Sequence, residues 1–122
     1  MISDNDITEA IIEAASDVSN TLGAGFLEKV YENALRHELR KGGWHVEQQH
    51  AIKVVYDGVA VGEYVADLIV EGAVLVELKA VRALDDVHTA QVLNYLKATE
   101  LSVGLLLNFG TPRVEVRRLR ND

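Results

Sequence analysis

The spacing of apolar residues shifts from a helical to a strand period at Gly42-Gly43, and this shift limits the folds that the chain can adopt. Before these glycines, apolar residues recur as they do along amphipathic helices. The pattern predicts a helix from Asp6 to Asn20, opened by a capping box over Asp6–Glu9, and a second helix from Phe26 to Arg40. The stripe of the first helix that should be buried comprises Ile7, Ile11, Ala14, Ala15 and Val18.

After Gly42-Gly43, apolar and polar residues alternate, which is typical of strands. Strands are predicted over Val46–Tyr56 and Val59–Val70, and the dipeptide Asp57-Gly58 between them is a strong signal for a two-residue hairpin turn. The remaining elements are a strand over Val74–Ala80, a helix over Asp85–Thr99, and strands over Val103–Asn108 and Val114–Leu119. The order ααβββαββ predicts an α/β fold of the α+β type with a mixed sheet.

Length and composition restrict the class of protein. The 122 residues fit one domain, residues 1–122, and there are no cysteines to form disulfides or thiolate metal sites. The N-terminus is acidic, and no apolar run approaches the roughly 20 residues that span a bilayer, so we expect a cytoplasmic protein with no membrane partner. The net charge of −7 weighs against strong nonspecific binding of nucleic acid.

Charged residues interrupt the apolar pattern of the second and third strands. Tyr64, Ala66, Leu68 and Val70 should share one face of the second strand, so Asp67, Glu77 and Lys79 should lie on the opposite face of the sheet. A three-residue loop, Glu71-Gly72-Ala73, would pair Asp67 directly with Glu77 and place their Cβ atoms about 5 Å apart. Carboxylates this close repel unless a cation such as Mg²⁺ or Mn²⁺ lies between them.

Lys79 follows Glu77 by two residues and should point into the same site, where it could hold a phosphate or orient a water molecule. An ordinary ladder of cross-strand charge pairs at the surface would produce the same pattern. The third helix carries His88, Gln91 and Tyr95 in one stripe, and Gln91 and Tyr95 could hydrogen-bond a phosphate or the lysine. A half-buried helix edge explains that stripe equally well, with Ala90, Leu93 and Leu96 in the sector that faces the core.

Glu28 lies in the first turn of the second helix, where the helix dipole favours a carboxylate. It could alternatively supply a third acidic group to the metal site. Gly25, Glu28 and Tyr31 match the motif of the GxxExxY proteins, which are classed within the PD-(D/E)XK nuclease superfamily. The resemblance runs from about Ile7 to Leu119 and includes the segments Gly62–Leu68, Val76–Val81, Ala90–Leu96 and Gly104–Gly110.

This resemblance implies a restriction-endonuclease-like core in which Asp67, Glu77 and Lys79 form the superfamily signature. Gln91 and Tyr95 resemble the Gln-x-x-x-Tyr motif of RecB-like exonucleases, and Glu28 is the candidate for a further metal ligand. The leading hypothesis is therefore a metal-dependent nuclease that acts on nucleic acid, with DNA favoured over RNA. A non-catalytic interaction or nucleic-acid-binding module is the alternative, and a small-molecule phosphohydrolase is a weaker one. The small size leaves room for a homodimer or a protein partner.

Overall fold

The computed structural model describes residues 2–121, so Met1 and Asp122, the two ends of the predicted domain, lie outside the described residues. The predicted order ααβββαββ is confirmed. The helices are α1 (Asp4–Leu22), α2 (Glu28–Lys41) and α3 (Asp86–Thr99), and the strands are β1 (Val46–Tyr56), β2 (Val59–Val70), β3 (Val74–Lys79), β4 (Val103–Asn108) and β5 (Glu115–Arg120).

The five strands form one mixed sheet in the order β1-β2-β3-β4-β5. The β3–β4 pair is parallel, and the other three pairs are antiparallel. Helices α1 and α2 pack on one face of this sheet and α3 packs on the other, so each face covers its own apolar cluster. The central strands β3 and β4 are therefore buried on both faces, and a mixed α/β sheet is confirmed as the fold class.

Helix α1 begins two residues earlier than predicted. Ser3 is its N-cap: the Ser3 hydroxyl accepts a hydrogen bond from the Asp6 N–H, and the Asp6 carboxylate accepts one from the Ser3 N–H. The prediction that Asp6 itself opens the capping box was therefore wrong, because a serine three residues upstream offers the same reciprocal bonds. The predicted apolar stripe of α1 is confirmed, since all five of its members are buried.

The two turns that set the sheet register have left-handed residues where the sequence predicts them. Asp57 and Gly58 have φ values of 52° and 76°, which is the geometry of a two-residue hairpin whose twist matches the strands. In the next turn, Glu71 and Gly72 have φ values of 55° and 63°. This turn pairs Val70 with Val74, so the three-residue loop and the register that follows from it are both confirmed.

The alternation of side chains along β2 is interrupted at Asp67, so that apolar residues before and after it lie on opposite faces of the sheet. Leu68 and Val70 pack with α1 and α2, whereas Ala66 packs with α3, and the Tyr64 ring lies 5.5 Å from the Tyr95 ring of α3. The prediction that Tyr64, Ala66, Leu68 and Val70 share one face was therefore wrong. Strand β1 is distorted at the same level: Gln49, between the paired residues Gln48–Leu68 and His50–Ala66, has a φ of 55°.

The apolar sector of α3 also differs from the prediction. Val92, Tyr95 and Leu96 are buried, whereas Ala90 and Leu93 lie on the exposed side of the helix. The helix carries several apolar residues around its circumference, so periodicity alone does not fix its rotation. The rotation of α3 is fixed by its close approach to Gly104 on β4, since a Cβ at Gly104 would lie 3.0 Å from a Val92 methyl.

Buried hydrogen bonds join the segments that follow β3 and β4. The Asn108 side chain is fully buried; it accepts from the N–H groups of Val81 and Gly110 and donates to the Val81 carbonyl and the Glu115 carboxylate. Gly110 passes so close to Val81 that an added Cβ would lie 2.1 Å from the Val81 oxygen. The end of β3, where Lys79 lies, is therefore held rigidly against β4.

Candidate active site

Asp67 and Glu77 occupy the position where β2 and β3 begin to separate. The last regular pair before them is Leu68–Val76. At the next position, the Asp67 N–H donates to Glu77 Oε1 at 2.9 Å, and the Leu78 N–H donates to Asp67 Oδ2 at 2.9 Å. Each carboxylate thus takes the place of a backbone carbonyl on the opposite strand, which fixes both side chains and brings them into the same site.

Both carboxyl groups are removed from water, Glu77 almost completely with 4% of its surface exposed and Asp67 partly. Burial, and after it the charge of Asp67, raise the pKa of Glu77 to about 8, although the hydrogen bond from the Asp67 N–H and the Lys79 charge lower it. Burial also raises the pKa of Asp67, where the Leu78 hydrogen bond is the largest opposing effect. Two buried carboxylates with raised pKa values attract a proton or a metal cation.

Lys79 is half-buried at the end of β3, and its charge acts on both Asp67 and Glu77. Its backbone is held by the parallel pairing of Lys79 with Asn108 and by a 2.8 Å hydrogen bond from the Phe109 N–H to the Lys79 carbonyl. The backbone of Lys79 is therefore fixed at the end of β3, and its ammonium group lies within electrostatic reach of both carboxylates.

Glu28 lies at the first position of α2, and electrostatic interaction links it to Lys79 and Asp67. Partial burial raises the pKa of Glu28, the Lys79 charge lowers it, and the Asp67 charge adds a smaller increase. Glu28 therefore lies within electrostatic reach of Asp67 and Lys79. The first predicted residue of this helix, Phe26, belongs instead to the preceding turn.

Tyr31 anchors the turn that places Glu28. Its hydroxyl donates to the Gly23 carbonyl at 2.6 Å and accepts from the Phe26 N–H at 3.1 Å. Its ring is fully buried and stacks on Phe109 at a centroid distance of 4.8 Å. Gly25, with a φ of 118°, supplies a backbone conformation that other residues avoid. In the sequence pattern Gly25, Glu28 and Tyr31, the glycine and tyrosine therefore shape the turn and the glutamate faces the site.

Sequence reasoning missed a second acidic residue of α2, Glu32, which is buried with 4% of its surface exposed. It accepts hydrogen bonds from the amides of Gln48 and Gln49 and from the Lys29 ammonium. The Gln49 amide also lies 3.5 Å from Asp67 Oδ1. One signal was available: Glu32 follows Glu28 by four residues and so shares its side of the helix.

Gln91 and Tyr95 lie together, as the stripe on α3 predicts. The Gln91 amide donates to the Tyr95 hydroxyl at 3.1 Å. Burial raises the pKa of Tyr95, and the Glu77 charge raises it further, so the phenol lies within electrostatic reach of the carboxylate pair. His88 has a structural role, since its Nδ1 accepts from the Asp85 N–H and completes the capping box of α3.

The donor groups at the site fit a hard divalent cation in part. Asp67 and Glu77 present carboxylate oxygens, the ligands that Mg²⁺ and Mn²⁺ prefer, and a cation between them would offset two charges that burial makes unfavourable. Within residues 2–121, no group of three or more His, Cys, Asp or Glu side chains is arranged to hold a metal ion. A cation at the pair would therefore keep several water or substrate ligands.

A sequence profile of the PD-(D/E)XK nuclease superfamily matches residues 5–119. The chain belongs to this superfamily. The PD-(D/E)XK match covers all three helices and all five strands except the terminal residues Asp4 and Arg120, and so includes every residue of the site described above. Within the matched residues, Glu77-Leu78-Lys79 has the pattern (D/E)XK that the family name contains, whereas Asp67 follows an alanine and not a proline.

The crystal structure of SSO0001 is similar in fold, with a TM-score of 0.57 and 18% sequence identity. The alignment covers 75% of this chain and 48% of SSO0001, so the PD-(D/E)XK chain spans about half the length of that protein. No curated protein matches the sequence. No helix within residues 2–121 is long and apolar enough to cross a membrane.

Proposed function

We propose that the chain is a metal-dependent phosphodiesterase that hydrolyses nucleic acid, with DNA as the favoured substrate. The observation that carries the proposal is the pair Asp67 and Glu77, whose carboxylates are fixed at 2.9 Å from each other's strands with Lys79 beside them. A surface ladder of ion pairs would be exposed, whereas Glu77 is buried and its pKa is raised. Such a costly arrangement is typical of a functional site.

Asp67 and Glu77 would hold Mg²⁺ or Mn²⁺, with Glu28 as the candidate for a further ligand, directly or through water. When bound, the cation supplies charge neutralisation at the phosphate and makes a bound water more acidic. The hydrogen bonds from the Asp67 and Leu78 N–H groups engage one oxygen of each carboxylate, so the other oxygen of each is the one that would bind the cation. The protein thus contributes a preorganised, acidic and mostly dry site.

Lys79 would bind a phosphate oxygen and orient the attacking water, because its charge acts on both carboxylates from the end of β3. Gln91 and Tyr95 form a hydrogen-bonded pair at the edge of the same site, where they would position the substrate phosphate or the lysine. Glu32 and Gln49 would act behind Asp67, since Gln49 bridges these two carboxylates.

The decisive experiment is a cleavage assay on single-stranded and double-stranded DNA and RNA with Mg²⁺ or Mn²⁺. We expect the wild-type protein to cleave DNA only when a divalent cation is present, and the Lys79→Ala variant to lose most of this activity. Lys41→Ala, which removes an exposed lysine bound only to Glu38 on α2, is the matched control. Equal cleavage by wild type and Lys79→Ala would point to a contaminating nuclease and refute the proposal.

A non-catalytic module on a nuclease fold is the second candidate. The net charge of −7 favours it, because so acidic a surface repels phosphate. If the chain is such a non-catalytic module, we expect it to bind a protein partner or to form a homodimer. Lys79→Ala should then have no effect on binding of that partner. Our proposal further assigns the chain to the GxxExxY group, on Gly25, Glu28 and Tyr31, and places it in the cytoplasm.

A further inference from the structure

A groove of about 850 Å³ runs between α3 and the arm formed by residues 53–65, where β1 and β2 extend beyond β3. Its lining includes Tyr64 and Lys53 from the arm and Gln91, Tyr95 and Lys97 from α3. Apart from Val54, every residue of this arm is exposed. The volume lies within the range of small-molecule sites and is large enough for a nucleotide.

The groove is connected to the carboxylate pair through β2 and α3: Tyr64 in its lining lies three residues before Asp67 on β2, and the Tyr64 ring packs on Tyr95 of α3. Tyr95 forms part of its lining and also lies within electrostatic reach of Glu77 and Asp67. Gln91, which donates to the Tyr95 hydroxyl, lines the same groove. A ligand whose reacting group is held at Asp67 and Glu77 would therefore extend naturally into this groove, past the two α3 side chains.

The chemistry of the lining favours a base and its phosphates. The Tyr64 side chain is half exposed, with 51% of its surface accessible, although its ring packs 5.5 Å from the ring of Tyr95 at 43°. It is therefore held from behind and offers an aromatic surface to a ligand. Lys53 and Lys97 provide positive charge on opposite walls and Glu100 adds one negative charge, so the lining has one net positive charge in a protein of net charge −7.

We propose that this groove binds the nucleotide next to the cleaved phosphate of a single-stranded nucleic acid, with the base on Tyr64 and the backbone phosphates near Lys53 and Lys97. This inference rests on the proposed function and adds a substrate class to it. A base inside a duplex has both faces stacked on its neighbours, so only an unpaired base can present a face to Tyr64. The groove therefore selects single strands.

The test measures binding and cleavage separately. Fluorescence anisotropy with a labelled 12-nucleotide poly-dT strand and a labelled 12-base-pair duplex gives the affinities, in Mg²⁺ and on a Lys79→Ala background so that the strand persists. We expect the single strand to bind more tightly than the duplex. Tyr64→Ala should weaken binding of the single strand about tenfold, because stacking on an aromatic side chain contributes on that scale.

Two variants separate a stacking role from a structural one. Tyr64→Phe keeps the ring and should restore the affinity, and Tyr56→Ala removes an exposed tyrosine outside the groove lining and should change the affinity less than twofold. The double variant Lys53→Ala/Lys97→Ala should bind more weakly and show a smaller dependence on salt. Unchanged circular dichroism would establish that each variant is folded.

The outcomes also distinguish the two proposals. If wild type cleaves but Tyr64→Ala does not change the affinity for the single strand on the Lys79→Ala background, the groove assignment is wrong and the nuclease assignment stands. If wild type cleaves nothing with either metal, the proposed function fails, whatever the affinities are. Equal affinity for strand and duplex would overturn the selection of single strands. Self-association that Tyr64→Ala abolishes, with no change in affinity for the strand, would identify the groove as a protein interface and overturn the inference.

Discussion

Asp67 and Glu77 each accept a hydrogen bond from the backbone of the other's strand, Glu77 from the Asp67 N–H and Asp67 from the Leu78 N–H. The carboxylates therefore serve two purposes, because they continue the β2–β3 ladder and also form the acidic centre of the site. An amide in place of either carboxylate keeps one accepting oxygen, removes the charge and replaces the other oxygen with an NH2 donor. This separation of roles makes the site testable by substitutions that conserve shape.

Glu77→Gln should stabilise the metal-free protein at pH 7 by roughly 1–3 kcal/mol, because it removes the cost of placing an ionisable carboxyl in a buried site. The amide still accepts from the Asp67 N–H. Urea denaturation measures the change, and Glu9→Gln on the exposed side of α1 is the control, for which no significant change is expected. A loss of stability in Glu77→Gln would show that the charge itself stabilises the fold.

The stability of the metal-free wild type should fall as pH rises. The pKa of Glu77 is about 8 in the folded protein and about 4.5 in the unfolded chain, so the folded state retains its proton over this interval. Stability is therefore greatest below pH 4.5 with respect to this group and declines up to about pH 8, at no more than about 1.4 kcal/mol per pH unit. Denaturation curves at pH 5, 6, 7 and 8 should show the decline in wild type and a much smaller one in Glu77→Gln.

Mg²⁺ or Mn²⁺ should stabilise the wild type modestly and chiefly at higher pH, where the carboxylates are free of protons. Two carboxylates form a weak site, so stabilisation should follow the logarithm of the metal concentration and reach about 1.4 kcal/mol at ten times Kd. Thermal unfolding with 0 to 20 mM metal tests this expectation. Asp67→Asn should abolish the effect, and an equal effect in that variant would place the bound metal elsewhere.

Lys79→Ala should leave metal affinity within a few-fold of wild type, because lysine is not a metal ligand at neutral pH, yet lower kcat at least about 100-fold. Isothermal titration with Mn²⁺ and a single-turnover cleavage assay measure the two quantities separately. Lys41→Ala should change neither. A parallel loss of metal binding in Lys79→Ala would mean that the lysine holds the carboxylates in place rather than the phosphate.

Gly110→Ala should destabilise the protein by roughly 1–3 kcal/mol or more. An added Cβ would lie 2.1 Å from the oxygen and 2.4 Å from the nitrogen of Val81, both backbone atoms that cannot rotate away. Gly62→Ala is the matched control, because its Cβ would meet only the Tyr64 ring at 4.0 Å. Urea midpoints of the two variants should therefore differ clearly, and equal midpoints would indicate that the Val81 segment shifts without cost.

The relative positions of the residues at the centre of the candidate site could be predicted from the sequence. Alternation on β3 and the loop Glu71-Gly72-Ala73 determine the register of Asp67 and Glu77, since a three-residue loop leaves one arrangement of the hairpin. The helical stripe Gln91 and Tyr95 followed from spacing. These features depend on the conformation of a single turn, strand or helix, which the types and spacing of neighbouring residues determine.

The structural features that the sequence did not predict depend on contacts between segments that are distant in the chain. The change of face at Asp67 accompanies the left-handed backbone of Gln49, and a glutamine gives no local signal for that conformation. In the sequence, Glu32 does not differ from an exposed helical glutamate, because its burial results from the contacts of Gln48 and Gln49 on β1. The rotation of α3 is set by its contact with Gly104, a residue on a strand that follows it in the chain.

The two walls of the groove differ in stiffness, because only one of them is formed by the arm of residues 53–65. One wall is α3, whose buried residues join it to the sheet, and the other is a two-stranded ribbon that β3 no longer supports. Isolated ribbons are marginally stable, so backbone amides of the arm should exchange with solvent sooner than those of β3 and β4. We therefore expect the groove to widen for a ligand by bending of the arm beyond Ile52 and Ala66, which stay buried against α3, while the strand that carries Lys79 keeps its position.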